Sequence, residues 1–166
     1  MRRIGLAAAV AVLSSGCDQA RSVSSPEGRF TVEMPGRPKL ETASAAAAEA
    51  SSFESTRWGC GYSVAWGDAK PIDANDLHTA IEVMARHYKA TILREESVTS
   101  HGIAGRAFGL KAAGNLVFEG QVFQHKSRFY ILLARCPAAR YDWVPTVRSK
   151  TKHFFDSFRI QEEPRE

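Results

Sequence analysis

Beyond position 17 the sequence has no apolar run of the roughly 18 residues that a membrane-spanning helix requires, so no crossing helix is expected in the body of the chain. It has no Cys-x-x-Cys, no Gly-x-Ser-x-Gly, no His-Glu-x-x-His and no Cys/His zinc spacing. These absences exclude a thioredoxin-type redox pair, a nucleophile-elbow hydrolase and the commonest zinc centres. Gly102, Gly105 and Gly109 lie in a strand-like stretch with no helix behind it, which excludes a phosphate-cradling loop. An excess of one charge is missing too: 22 basic residues face 18 acidic ones, for a net charge of +4. That is no nucleic-acid footprint, and no nucleic-acid partner is expected. No stretch of the sequence repeats another.

What is present begins at the front, with MRRIGLAAAVAVLSSGC. Arg2 and Arg3 precede an apolar run from Ile4 to Leu13, followed by small residues and Cys17. A run this short reads as an export signal rather than a span. Leu13-Ser14-Ser15-Gly16-Cys17 resembles the lipobox of bacterial lipoproteins, although the leucine stands four residues before the cysteine instead of three. The resemblance implies a diacylglycerol on the Cys17 thiol and cleavage just before it. An ordinary cleaved signal with a nearby cysteine is the alternative. The expected layout is a signal over 1–16, a lipidated cysteine and tether over 17–26, one domain over 27–161 and a frayed tail over 162–166. The expected location is the cell envelope, with the chain held on a bacterial membrane through Cys17 and facing the periplasm or exterior. Loss of Arg2 and Arg3 leaves 20 basic residues against 18 acidic ones, a net charge of about +2.

The cysteines number three, Cys17, Cys60 and Cys136. If Cys17 carries lipid, an even pair remains in an oxidising compartment, and a Cys60–Cys136 bridge is expected. Two buried free thiols acting as small hydrophobes are the alternative.

Hydrophobic periodicity supplies the elements. Residues 29–34 alternate, with Phe30, Val32 and Met34 on one face, and Pro35-Gly36 ends the strand as a turn. Residues 39–44 form a weaker strand. The alanines of 45–50 favour helix locally but lack an apolar stripe, so loop, strand end and helical turn all remain open. Residues 53–66 are strand-like, with Cys60, Tyr62, Val64 and Trp66 sharing a face; Gly59 and Gly61 beside Cys60 suggest a bulge or a close backbone approach. A helix is expected from a cap at Asp73 to about Thr91, striped by Leu77, Ile81, Met84 and Tyr88 and widened by Ala80 and Ala85. Strand character returns over 97–100 and 104–111 around a His101-Gly102 turn, and 116–124 with 128–136 reads as a hairpin. A last helix over 143–158 opens near Pro145 and carries Val144, Val147, Phe154, Phe155 and Phe158. Strands, helix, strands, helix is an α+β order: an antiparallel sheet covered by two helices.

The opening EGRFTVEMPGRPKL and the ending HFFDSFRI resemble a set of small exported bacterial proteins with a PsbP-like domain. The resemblance implies a PsbP-like α/β/α sandwich from Glu27 to Ile160, with Phe154, Phe155 and Phe158 as core anchors. It implies binding or assembly rather than catalysis, and it carries over no catalytic or metal-binding residue.

No catalytic group, cofactor or metal is read from the residues themselves. His78 and His87 stand nine positions apart on the helix, about 900° of rotation, and therefore on opposite faces. Asp73 and Asp76 suit the start of that helix, and Glu95-Glu96 reads as solvated. Trp58, Tyr62, Trp66, Phe118, Phe123, Phe129, Tyr130 and Trp143 read as sheet core, with an apolar or sugar-like pocket as the alternative. Arg148, Lys150, Lys152 and His153 read as a solvated helix face, with lipid headgroups as the alternative partner. The function expected is a non-catalytic, membrane-anchored envelope lipoprotein that binds a protein partner or a small ligand. One rival is an enzyme whose site forms only in space around His101, His125 or Glu119. The other is an envelope assembly factor with an exposed apolar patch above roughly 600 Å².

Overall fold

A computed structural model describes residues 20–45, 48–68, 74–143 and 145–161. The signal-like start, Cys17, Asp73 and the tail beyond Gln161 lie outside the described residues. Among the described residues ten strands and three α-helices follow in order: β1 (Arg21–Ser25), β2 (Phe30–Met34), β3 (Lys39–Ala45), β4 (Ala48–Arg57), β5 (Cys60–Asp68), α1 (Ala74–His87), β6 (Ala90–Ser100), β7 (Ile103–Ala112), β8 (Leu116–His125), β9 (Arg128–Pro137), α2 (Ala138–Trp143), α3 (Pro145–Asp156) and β10 (Arg159–Ile160). A large antiparallel sheet runs β3-β4-β5-β9-β8-β7-β6, and a small one runs β1-β2-β10. The expectation of one sheet under two helices is corrected here. The short sheet shares a layer with α3, so the molecule is strand-rich and only roughly an α/β/α sandwich.

Alternation along β5 decides the main core. Cys60, Tyr62, Val64 and Trp66 are buried on one face, while Gly61, Ser63 and Ala65 are half-exposed on the other. The buried face meets Phe30, Val32 and Met34 of β2, Val147 and Phe154 of α3, and Phe158. Tyr62 Oη lies 3.3 Å from Thr151 Oγ1, a bond that joins the sheet to α3 inside this core. On the opposite face, Leu77, Ile81 and Ala85 of α1 pack on Phe108, Leu110, Phe118 and Val122. Spacings of four put those α1 residues on a single stripe.

Several boundaries differ from those expected of the sequence. The segment expected to be a tether becomes β1 from Arg21 onward, because Val23 finds a buried place opposite Val32. The strand-like stretch 53–66 is two strands of a hairpin, turning at Trp58 (φ 53°) and Gly59 (φ 76°). Positive φ at both central residues matches the twist of a tight antiparallel turn, so Gly59 marks a turn and not a bulge. α1 stops at His87 and does not reach Thr91; Lys89 adopts φ 50° and the chain enters β6 at Ala90. The expected last helix is α3, which ends at Asp156, and a short helix not expected of the sequence, α2, precedes it; Val144 lies outside the described residues. Cys60 and Cys136 stand one step past the Gly61–Arg135 pair that ends the β5–β9 ladder and are joined by a disulfide, with their Cα atoms 4.4 Å apart. That separation suits a directly facing, non-hydrogen-bonded pair on neighbouring antiparallel strands.

Candidate functional site

α1 covers β6, β7 and β8 and packs on Leu133 of β9, and among the described residues no helix covers the same face of β3, β4 and β5. Register places Lys39 beside Glu54, Glu41 beside Ser52, and Gly61 beside Arg135 on this bare face. Lys39, Glu41, Glu54, Gly61 and Arg135, with Arg37, Thr56, Ser63, Leu133 and Tyr88, line an open bay of about 400 Å³. Three cations and two carboxylates in one shallow concavity are suited to a polar partner of mixed charge. Apolar ligand pockets are built differently, with hydrophobic walls and few polar groups. Behind the bay the Ser55 hydroxyl is buried without a hydrogen-bond partner among the described residues.

A second concavity of about 320 Å³ lies on the α2–α3 side, lined by Arg94, Glu119, Tyr141, Asp142 and Arg148 among others. Glu119 pairs with Arg94, and Arg148 both reaches Asp142 at 3.2 Å and lies over the Tyr141 ring at 5.4 Å. Gly109 stands opposite Glu119, where an added Cβ would come within 3.4 Å of Arg94 Nε. Burial pushes the Glu119 carboxyl above its ordinary range, and the nearby Arg94 charge only partly opposes this. Burial, with Glu119 adding to it, likewise raises the Tyr141 phenol.

The native state therefore holds the Glu119 proton more tightly than the unfolded chain does. Stability attributable to this residue is present at low pH and falls as pH rises from the ordinary carboxylate value through the raised one. Glu119→Gln is expected to flatten that dependence. Its stability relative to the parent should improve steadily from pH 4 to pH 7 in urea titrations. A constant difference across that range would contradict the assignment.

The residues named for a spatial enzyme site do not converge. His101 and His125 lie at the β6–β7 and β8–β9 turns, while Glu119 lies toward the other end of β8. Among the aromatic set, Tyr62, Trp66, Phe123 and Tyr130 are buried in the main core and Phe118 in the α1 core. Trp58 and Phe129 are only half-buried. The side chain of Trp143 is outside the described residues. On α3, Arg148 pairs with Asp142, Lys152 with Asp156, and His153 with Glu33. Among the described residues no cluster of three His, Cys, Asp or Glu is placed to hold a metal, and no helix is long and apolar enough to cross a membrane.

Glu95 corrects the expectation of a solvated Glu95-Glu96 pair. Its carboxylate is 12% exposed, 2.7 Å from His78 Nδ1 and 2.8 Å from Arg106 Nη1. The Arg106 contact is an ion pair without a well-directed hydrogen bond. A shift of register between Ile92 and Arg94 breaks the simple alternation of β6, and Glu95 bonds to α1. No signal in the linear pattern announces that bulge.

No family model matches the chain, and no curated protein matches it. Among solved structures, the cyanobacterial PsbP protein (CyanoP) of Synechocystis sp. PCC 6803 superposes with a TM-score of 0.66, covering 87% of this chain and 94% of its own at 13% identity. The fold is PsbP-like. A protein of unknown function from Pseudomonas aeruginosa, PA94, covers 89% of this chain and 99% of its own at 15% identity and a TM-score of 0.47. At such identity the likeness to CyanoP concerns fold alone and transfers no site residue to this PsbP-like domain.

Proposed function

We propose that this chain is a non-catalytic envelope lipoprotein, anchored through Cys17, whose PsbP-like domain binds a partner protein at the bare face of its large sheet. The observation that carries the reading is the bay itself: a concave, mixed-charge surface on β3, β4, β5 and β9 that α1 leaves open. The lipobox-like end supports the anchor. The large apolar residues that are most exposed, Leu40, Val83 and Leu93, stand on β3, α1 and β6, the two edges of the large sheet and the helix between. Such scattered positions favour the polar bay over an apolar assembly patch.

The test is a photo-crosslinking side chain at Ser63, in the bay, compared with one at Glu82 on α1. One discrete crosslinked protein is expected from Ser63 and none from Glu82, and Arg135→Glu should abolish it. Intact mass of the membrane-extracted protein beside Cys17→Ala reads the anchor in parallel. Absence of a specific crosslink, or a hydrolytic activity removed by one side-chain change, would overturn the reading.

A further inference from the structure

If Cys17 is the anchor, as proposed above, the topology also selects the part of the domain that meets the membrane. Ala20 lies three residue steps beyond Cys17, a reach of at most about 11 Å, and β1 starts at Arg21. Arg21 pairs with Met34, and a Cβ at Gly36 would lie 2.8 Å from the Thr56 carbonyl oxygen. The anchored start of β1 and the Trp58-Gly59 turn therefore share one end of the molecule. Ala90 pairs with Ala112, and Leu116 pairs with both Ala112 and Pro137, so the α1–β6 turn and the start of α2 lie at that end too.

The connections gathered there, 35–38, 58–59, 88–89 and 113–115, contain no Asp or Glu, and the one acid in the lead from the anchor to β1 is Asp18. Arg21, Arg37, Lys89 and Arg140 stand on or beside them, the last three exposed. The opposite end carries Glu27 and Asp68 among its basic residues. Backbone conformation gives an independent sign. Trp58 and Lys89 hold positive φ, 53° and 50°, as Arg29, His101 and Lys126 do at the opposite end, and of these five only Trp58 is a bulky apolar aromatic. A bulky aromatic kept in that region points to use of the side chain. Trp58 is half-buried with the Arg57 guanidinium 5.5 Å from its ring centre, an amphipathic arrangement of the kind found at headgroup level.

We infer that this end, led by Trp58 and rimmed by Arg21, Arg37, Lys89 and Arg140, rests on an anionic lipid surface. The basic residues of α3 are a poorer candidate, because Arg148, Lys152 and His153 already face acidic partners. Contact at the turns leaves the sheet face accessible from the side, with Arg37 and Tyr88 at the border between the bay and the membrane end.

The full chain, membrane-extracted and reconstituted into vesicles, provides the test. One set is phosphatidylcholine alone, and the other is equal parts phosphatidylcholine and phosphatidylglycerol, each with brominated acyl chains as quencher. Quenching of tryptophan emission is expected in the anionic set and should disappear in Trp58→Phe. Full-length Cys17→Ala should still bind anionic vesicles, more weakly and with salt sensitivity. Adding Lys89→Glu and Arg140→Glu to it should weaken that binding about tenfold or more. Binding of Cys17→Ala with Trp58 quenched supports the surface even where intact mass shows no lipid on Cys17. A lipidated chain whose Trp58 emission is the same in both vesicle sets overturns the surface and leaves the anchor standing. Silence toward lipid with a protein crosslink from position 58 would assign this end to a protein and overturn the inference equally.

Discussion

Replacing Cys60 and Cys136 together by alanine is expected to lower the stability of the domain by about 4–5 kcal/mol, the loop-closure entropy of a bridge spanning 76 residues. Domains of this kind have roughly 5–15 kcal/mol in total, so the variant should sit near the edge of folding. Both cysteines are buried, which makes the loss of packing volume an addition to the entropy term and not a substitute for it. The bridge joins β5 to β9, the central strand of the large sheet, and its loss loosens the strand that contributes Tyr62, Val64 and Trp66 to the main core. Urea denaturation of the parent, with and without reductant, beside the double variant measures the effect. A difference below about 1 kcal/mol would show that the bridge adds little to a pairing the sheet already secures.

Phe30→Ala is expected to cost about 3–5 kcal/mol, through lost burial and the cavity left behind. Phe30 is fully buried, and its ring meets Trp66 at 5.1 Å, Phe158 at 5.6 Å, Tyr130 at 6.2 Å and Phe53 at 6.3 Å between centroids. These contacts tie three separate parts together: the small sheet, the β4-β5-β9 centre of the large sheet, and the chain end after α3. Truncation therefore removes more than one aromatic pair, each worth about 0.5–1.5 kcal/mol beyond its area. Hydrogen exchange should show β1, β2 and β10 losing protection ahead of β7 and β8. Phe155→Ala is the comparison, because that ring is only half-buried, and its cost should be clearly smaller. Equal costs for the two variants would rule out the central role assigned to Phe30.

Much of this architecture is legible in the linear pattern. Burial on one side of a strand repeats every second residue, so the shared face of Cys60, Tyr62, Val64 and Trp66 is readable from the order of residues alone. The stripe Leu77–Ile81–Ala85 is readable for the same reason at helical period. The hairpin of β8 and β9 follows from two apolar runs around a short polar link. β1 is not legible, because RSVSS offers a single apolar residue, and only pairing with β2 gives it a strand's hydrogen bonds. The same holds for Glu95, whose place against His78 depends on a bulge in β6.

The sequence by itself determined which side chains turn inward along each element, and which families of catalytic motif are missing. Both are local properties, written at spacings of a few residues. The tertiary structure alone decided that β5 lies between β4 and β9, that Cys60 therefore faces Cys136, and that α1 shelters only half of the large sheet. Strand order is settled by the competition between loop closure and the packing of whole faces, which no local period records. The open bay and the end where the basic turns gather both arise from that order, and neither has a counterpart in any contiguous stretch of the chain.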